Sequence, residues 1–225
     1  MDPEIESLAP VLAAAADELG VALSPEVCGR LLRYIAMLQR WNAVYNLTAV
    51  REPQRMLRQH LIDCMAVLPP LRRFLAARPA AGPARVLDVG SGGGLPGVVL
   101  ALLEPGIEVT CVDAVAKKAG FVRQVAAELS VTRLRAEHAR VESLAPPRKF
   151  DVVVSRAFAS LPDFVALSRG ALSEGGAWLA MKGVVPKDEL SALPADIDVF
   201  HVEHLHVPGL DAQRCLIWMQ PKEIP

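Results

Sequence analysis

From residue 85 onward, short apolar runs alternate with amphipathic stretches, and this alternation constrains the fold more than any other feature of the sequence. Strand patterns fall at 85–89, 107–112, 132–136, 150–155, 176–181, 198–204 and 214–219, and helix patterns at 95–103, 115–129, 161–171 and 187–192. Strands separated by helices pair in parallel, so the pattern predicts an α/β fold with a doubly wound, mainly parallel sheet of seven strands. Ligands of such sheets sit at the carboxyl ends of the strands. The last two strands are joined by "VPGLDAQ" without a helix, which predicts an antiparallel hairpin at one edge.

The first strand–helix junction is unusually bare. "RVLDVGSGGGLPGVVLALLEP" (85–105) carries Gly90, Gly92 and Gly94 at alternate positions, with Pro96 expected in the first turn of the following helix. Such a turn lets a ligand approach the backbone and offers amides at a helix N-terminus. A dinucleotide fingerprint needs G-x-G-x-x-G, but the sixth place counted from Gly90 is Leu95. The pattern is D-x-G-x-G-x-G, led by Asp88, and suits a nucleoside without a pyrophosphate. The second strand ends in Asp113, 23 residues after Gly90. At that spacing an acid meets the hydroxyls of a ribose; its other reading is a cap on the next helix.

Residues 1 to about 80 read as a helical extension. Ser24 and Pro25 start a long helix that carries Leu31, Ile35 and Leu38 on one face. A second helix is expected from about Pro53 to Leu68, stopping before Pro69-Pro70, followed by a linker over 73–85. The expected division is therefore 1–80 for the extension and 85–225 for the α/β domain. At 225 residues and 52% hydrophobic, the chain can fill a sizeable core. The acidic opening "MDPEIE" has the wrong charge for a signal peptide, and no apolar run is long enough to span a membrane. Four scattered cysteines without C-x-x-C read as reduced packing residues, so a cytoplasmic protein is expected.

The net charge of −1 hides two basic stretches: 51–80 holds 6 basic and 2 acidic side chains, and 113–156 holds 9 and 5. Those stretches are expected to flank one cleft, with Arg51, Arg55, Arg58, Arg72, Arg73 and Arg78 on one side and Lys117, Lys118 and Arg123 on the other.

The strand plan, the glycine pattern and the terminal hairpin together resemble a class I S-adenosylmethionine-dependent methyltransferase with a Rossmann-like sheet. "FDVVVSRAFASL" (150–161) contains neither the D/N-P-P-Y/F motif of amine methylation nor the cysteine needed to methylate cytosine carbon. "NLTAV" (46–50), "RQHLIDCM" (58–65), "DVGSGGGLPG" (88–97), "DAVAKKAGFVRQV" (113–125), "ARVES" (139–143), "SRAFA" (155–159) and "AMKG" (180–183) then resemble the ribosomal small-subunit RNA methyltransferase G family over almost the whole chain. Cys64 and Ala114 depart from the serines usual there. Members methylate N7 of one guanine in 16S ribosomal RNA. The resemblance implies S-adenosylmethionine as cofactor, no metal, and 16S ribosomal RNA or the small subunit as partner of a monomer. It also implies that Gly90 and Leu95 line the cofactor, that Val141 and Glu142 flank its adenine, and that Arg156 closes the site.

Gly92, Gly94 and Asp113 join this expected cofactor set. Arg156 could instead pair with Asp88 or Asp113, and Glu142 could be a solvated helix residue. Arg123, Arg156 and Lys182 are candidates for positioning RNA. His60 and Asp63, three apart, could orient the base or the N-terminal extension, or pair with each other. His201, His204 and His206 cluster in "HVEHLH", with His204 and His206 sharing a strand face but no third metal ligand in sight. An attack by N7 needs no general base, because N7 carries no proton. Two alternatives remain at this level: an RNA-binding module with a vestigial cofactor site, and a methyltransferase acting on another RNA position. A nicotinamide oxidoreductase is disfavoured, since the only tyrosines, Tyr34 and Tyr45, lie in the extension.

Overall fold

The computed structural model describes residues 2–78 and 82–222. The helical segment contains α1 (Pro3–Glu6), α2 (Ala9–Glu18) and α3 (Pro25–Tyr45). Ser24 caps α3, its hydroxyl accepting from the Val27 amide at 3.2 Å, with Pro25 in the first turn. The next stretch is not the single helix expected over 53–68. It divides into α4 (Pro53–Met56), a π-helical turn over Leu57–Ile62 and α5 (Asp63–Met65).

Pro69 and Pro70 do not stop a helix. They occupy the first turn of α6 (Leu68–Ala76), where a missing N–H costs nothing. α6 takes the first residues of the expected linker because tertiary contacts hold it there. Phe74 stacks on Trp218 at 4.8 Å between centroids, while Arg72 and Arg73 pair with Glu104 and Glu203. Residues 79–81 of that linker lie outside the described residues.

The sheet contains β1 (Ala84–Val89), β2 (Ile107–Asp113), β3 (Leu134–His138), β4 (Phe150–Arg156), β5 (Leu172–Lys182), β6 (Ile197–His204) and β7 (Cys215–Pro221). Their order is β3-β2-β1-β4-β5-β7-β6, with β1 to β5 parallel and β7 antiparallel to both its neighbours. Helices α7 (Gly97–Leu103), α8 (Ala116–Glu128), α9 (Leu161–Ser168) and α10 (Lys187–Ser191) fall where the sequence puts them. Pro96 is an exception: it is the N-cap of α7 rather than part of its first turn.

Alternation along the strands loads both sheet faces. Val86, Val109, Val152, Leu179 and Leu216 form one continuous cluster with Leu12, Leu31 and Ile35 of the helical segment and with α7 and α8. Leu87, Val112, Val153, Trp178 and Ile217 pack on α9 from the other face. Two polar ties fix α3 over the first face. Arg30 donates to the Leu129 carbonyl at 2.6 Å, and the Tyr34 hydroxyl donates to the Gly93 carbonyl at 2.6 Å.

Candidate active site

The turn after β1 spends its amides internally. Gly90 and Ser91 donate to the Val112 carbonyl, Gly94 and Leu95 to the Ser91 carbonyl, and Gly92 to the Asp113 carboxylate at 3.0 Å. The Gly97 amide at the start of α7 donates to Asp88 at 2.8 Å. Those amides are therefore not open donors, contrary to the sequence reading. A carboxyl group already sits at the helix N-terminus where a pyrophosphate would need to be, so the turn fits a ligand without one. Asp88 is fully buried, and burial pushes its carboxyl up to about 7. Its Oδ1 has no partner among the described residues.

Gly90 adopts φ +66°, and a Cβ there would lie 2.4 Å from the Phe158 ring. A side chain is thus excluded both by backbone conformation and by contact. Gly94, at φ +87°, lines neither of the two clefts described next. A Cβ on it would strike Val98 at 2.4 Å, so its work is to let α7 pack.

Two clefts meet at Gly90. The smaller, about 180 Å³, is lined by Asp113, Ala114, Val141, Glu142 and Phe158. Asp113 accepts from Gly92 through one oxygen and from Val115, at the start of α8, through the other at 2.8 Å. Asp113 stands at the end of β2 as expected, but it does not cap α8: its bond to Val115 closes a turn two residues on, and its Oδ2 also lies 3.9 Å from Lys118 Nζ. Val141 and Glu142 belong to a single 3₁₀ turn after β3.

The larger cleft, about 460 Å³, brings together Gly92, Leu95, Arg156 and Lys182 with Thr48, His60, Asp63 and Arg214. Arg156 pairs with neither Asp88 nor Asp113. Its Nη1 donates to the Gln59 carbonyl at 2.9 Å and lies 3.3 Å from Asp63, which the helical segment inserts beside the end of β4. The other oxygen of Asp63 accepts from Nε of Arg214 at 2.7 Å. Lys182 is tied to Glu189 at 2.8 Å. His60 does not pair with Asp63. Its Nε2 meets the Thr48 hydroxyl at 2.8 Å and its Nδ1 the Gln59 carbonyl at 2.9 Å. Burial first, and Arg156 second, push its pKa down to about 4.

Several expected residues lie elsewhere. Arg123 donates to the Ala136 carbonyl and lines neither cleft; Lys117 and Lys118 also line neither, although Lys118 reaches to 3.9 Å from Asp113. Arg72, Arg73 and Arg78 are drawn to Glu104, Glu203 and Asp151 and do not flank the site. His206 falls beyond β6 and bonds Glu18 at 2.6 Å, so it shares no strand face with His204. Among the described residues no metal-binding group occurs, and no helix is long and apolar enough to cross a membrane. Arg214 was missed, although the sequence held a signal for it. "CLIWM" (215–219) is continuously apolar and reads as an interior strand, whereas "DVFHVEH" (198–204) mixes polar and apolar residues like an edge. Seating β7 inside β6 sets Cys215 opposite Lys182 and delivers Arg214 to the cleft.

The sheet order, the antiparallel β7 and the paired clefts beside the β1 turn define a class I S-adenosylmethionine-dependent methyltransferase. The fold is shared with TrmN from Thermus thermophilus, at a TM-score of 0.55 and 20% identity over 74% of this chain and 53% of that one. Residues 28–217 match the family described as rRNA small subunit methyltransferase G, and the chain belongs to that family. It is 57% identical to "Ribosomal RNA small subunit methyltransferase G" of Acidovorax ebreus (strain TPSY), covering 96% of both chains. It is 56% identical to the protein of the same name from Leptothrix cholodnii, covering 95% of both.

Proposed function

We propose that this enzyme methylates N7 of a guanine in small-subunit (16S) ribosomal RNA, working as a cytoplasmic monomer whose extension (1–80) walls the site carried by 85–225. The carrying observation is the meeting of two unlike clefts at Gly90: one nucleoside-sized and ending in Asp113, the other bordered by Arg156, Lys182 and Arg214.

In this reading S-adenosylmethionine, when bound, supplies a methyl group made electrophilic by its sulfonium. Asp113 accepts from the ribose hydroxyls, Val141 and Glu142 flank the adenine, and Gly90, Gly92 and Leu95 admit the remainder against bare backbone. Gly94 shapes the turn from behind. Arg156 and Arg214 hold anionic groups, and the fork of each guanidinium suits a carboxylate or a phosphate.

Guanine N7 offers a lone pair and no proton, so proximity and orientation carry the chemistry. The titratable groups of the larger cleft agree with that. His60 is engaged at both nitrogens and held neutral, Asp63 is shared between two arginines, and Lys182 is ion-paired. None is poised as a base.

The test is transfer of a tritiated methyl group to small subunits, or to RNA from them, taken from cells lacking the protein. Label should appear in 7-methylguanosine. Label on any other nucleoside would reject the substrate assignment, and binding of S-adenosylmethionine without transfer would favour a module that only binds RNA.

A further inference from the structure

We propose that Asp63 is a positioning residue that holds the guanidinium groups of Arg156 and Arg214 in fixed orientation, so that the RNA meets two aimed cations. The inference rests on the methyl-transfer reading above.

Asp63 comes from the helical segment and is 3% exposed at its side chain, yet it borders the cleft. Each of its oxygens takes one arginine, at 3.3 Å and 2.7 Å. Arg156 arrives from the end of β4 and Arg214 from the start of β7, strands separated by β5. Two like charges brought to one cleft repel, and a carboxylate between them offsets that repulsion. It also fixes direction: each guanidinium meets Asp63 through one nitrogen and a backbone carbonyl through a second bond, Gln59 for Arg156 and Gln213 for Arg214, so its plane is set. Arg214 is held at Nε by Asp63 and at Nη1 by the Gln213 carbonyl, which leaves Nη2 for a ligand.

The helix bearing Asp63 is built for the same place. The preceding turn, Leu57–Ile62, is π-helical, a form found frequently at functional sites. Within it, the Gln59 carbonyl accepts a further bond from Arg156. His60, braced against Thr48 and Gln59, closes the wall behind.

Asp63→Asn keeps the shape and both cations but removes the charge and one acceptor. It should lower kcat for RNA methylation by roughly 10- to 100-fold at saturating RNA and cofactor. The salt dependence of RNA binding should be unchanged, because no cation is lost. In an Arg214→Ala background the same substitution should cost measurably less, since one of the two groups it aims is gone and only the Arg156 share remains. Equal losses in both backgrounds, or an unchanged kcat per folded molecule, would overturn the proposal. If Asp63→Asn does not fold, Arg214→Lys serves: it keeps the charge but loses the fork, and an unchanged kcat in that variant overturns the proposal equally. Absence of transfer by the unaltered enzyme would instead reject the methyl-transfer reading.

Discussion

The two clefts that meet at Gly90 are assembled on different principles. The smaller is the work of strand ends. Asp113 closes β2, Val141 and Glu142 follow β3, Phe158 follows β4, and the carboxylate is fastened by backbone amides of the same junction. The larger needs groups distant in sequence: the glycine turn, Arg156, Lys182 and Arg214 from three strands, and Thr48, His60 and Asp63 from the helical segment. Its charges are balanced side chain against side chain. The smaller cleft is thus shaped by the sheet's own geometry, whereas the larger is complete only once the helical segment has docked.

Buried groups behind the two clefts offer the sharpest contrast. Asp88, beneath the glycine turn, has its folded pKa raised by burial to about 7 from 3.8. The stability that goes with its neutral form is complete below about 4 and is lost as pH rises toward 7. His60, in the wall of the larger cleft, is depressed to about 4 from 6.5. Its contribution is complete above about 6.5 and is lost as pH falls toward 4. The two windows overlap with opposite signs. Relative to the natural protein, Asp88→Asn should gain stability from pH 4 to 7 by up to roughly 4 kcal/mol, and His60→Gln should gain it from pH 7 to 4 by up to roughly 3 kcal/mol. Urea unfolding at intervals across that range checks both, and curves parallel to the natural protein's would refute them.

Asp113→Ala should weaken S-adenosylmethionine by roughly 1.5–3 kcal/mol, the worth of hydrogen bonds to a charged group, while leaving the salt dependence of RNA binding alone. Calorimetric titration decides; unchanged affinity in a folded variant would remove the ribose role.

Arg214→Ala should reduce the slope of log affinity against log salt by about 0.7, one single-strand phosphate contact. Arg123→Ala and Lys187→Ala, both outside the cleft, should not change it. Equal slopes for all three would erase the distinction between cleft and surface.

The smallest expected effect is none at all. The single-turnover rate should be flat from about pH 6 to 9, since no base is required. A tenfold rise per unit would point to an amine or hydroxyl substrate.

The sheet was legible because its strands announce themselves through short apolar runs and its connections through Gly and Pro. Ser24, the glycine turn after β1 and the terminal hairpin follow from local sequence signals, and local rules found them. The helical segment was read less well. Pro69-Pro70 begins α6 because Phe74, Arg72 and Arg73 find partners on the sheet, a fact not visible at the prolines themselves. The Asp63 bridge joins positions 93 and 151 residues apart in sequence, and no spacing rule reaches that far. Charge counting failed for a related reason. Arg72, Arg73, Arg78 and Arg123 carry the same charge as Arg156, but their partners lie away from the larger cleft.

The bond from the Tyr34 hydroxyl to the Gly93 carbonyl bears on how such an enzyme can be taken apart. The glycine turn is bolted from outside the sheet, by a helix that precedes it in the chain by some sixty residues and shares its core. Residues 85–225 are therefore not a portable catalytic unit onto which target specificity has been added. Lifted out alone, the sheet would keep α7 and α8 but lose the rest of the cover on that face, and the glycine turn would lose its outer tie. Altering the larger cleft therefore means reshaping the π-helical turn in place, not exchanging the segment for a different one.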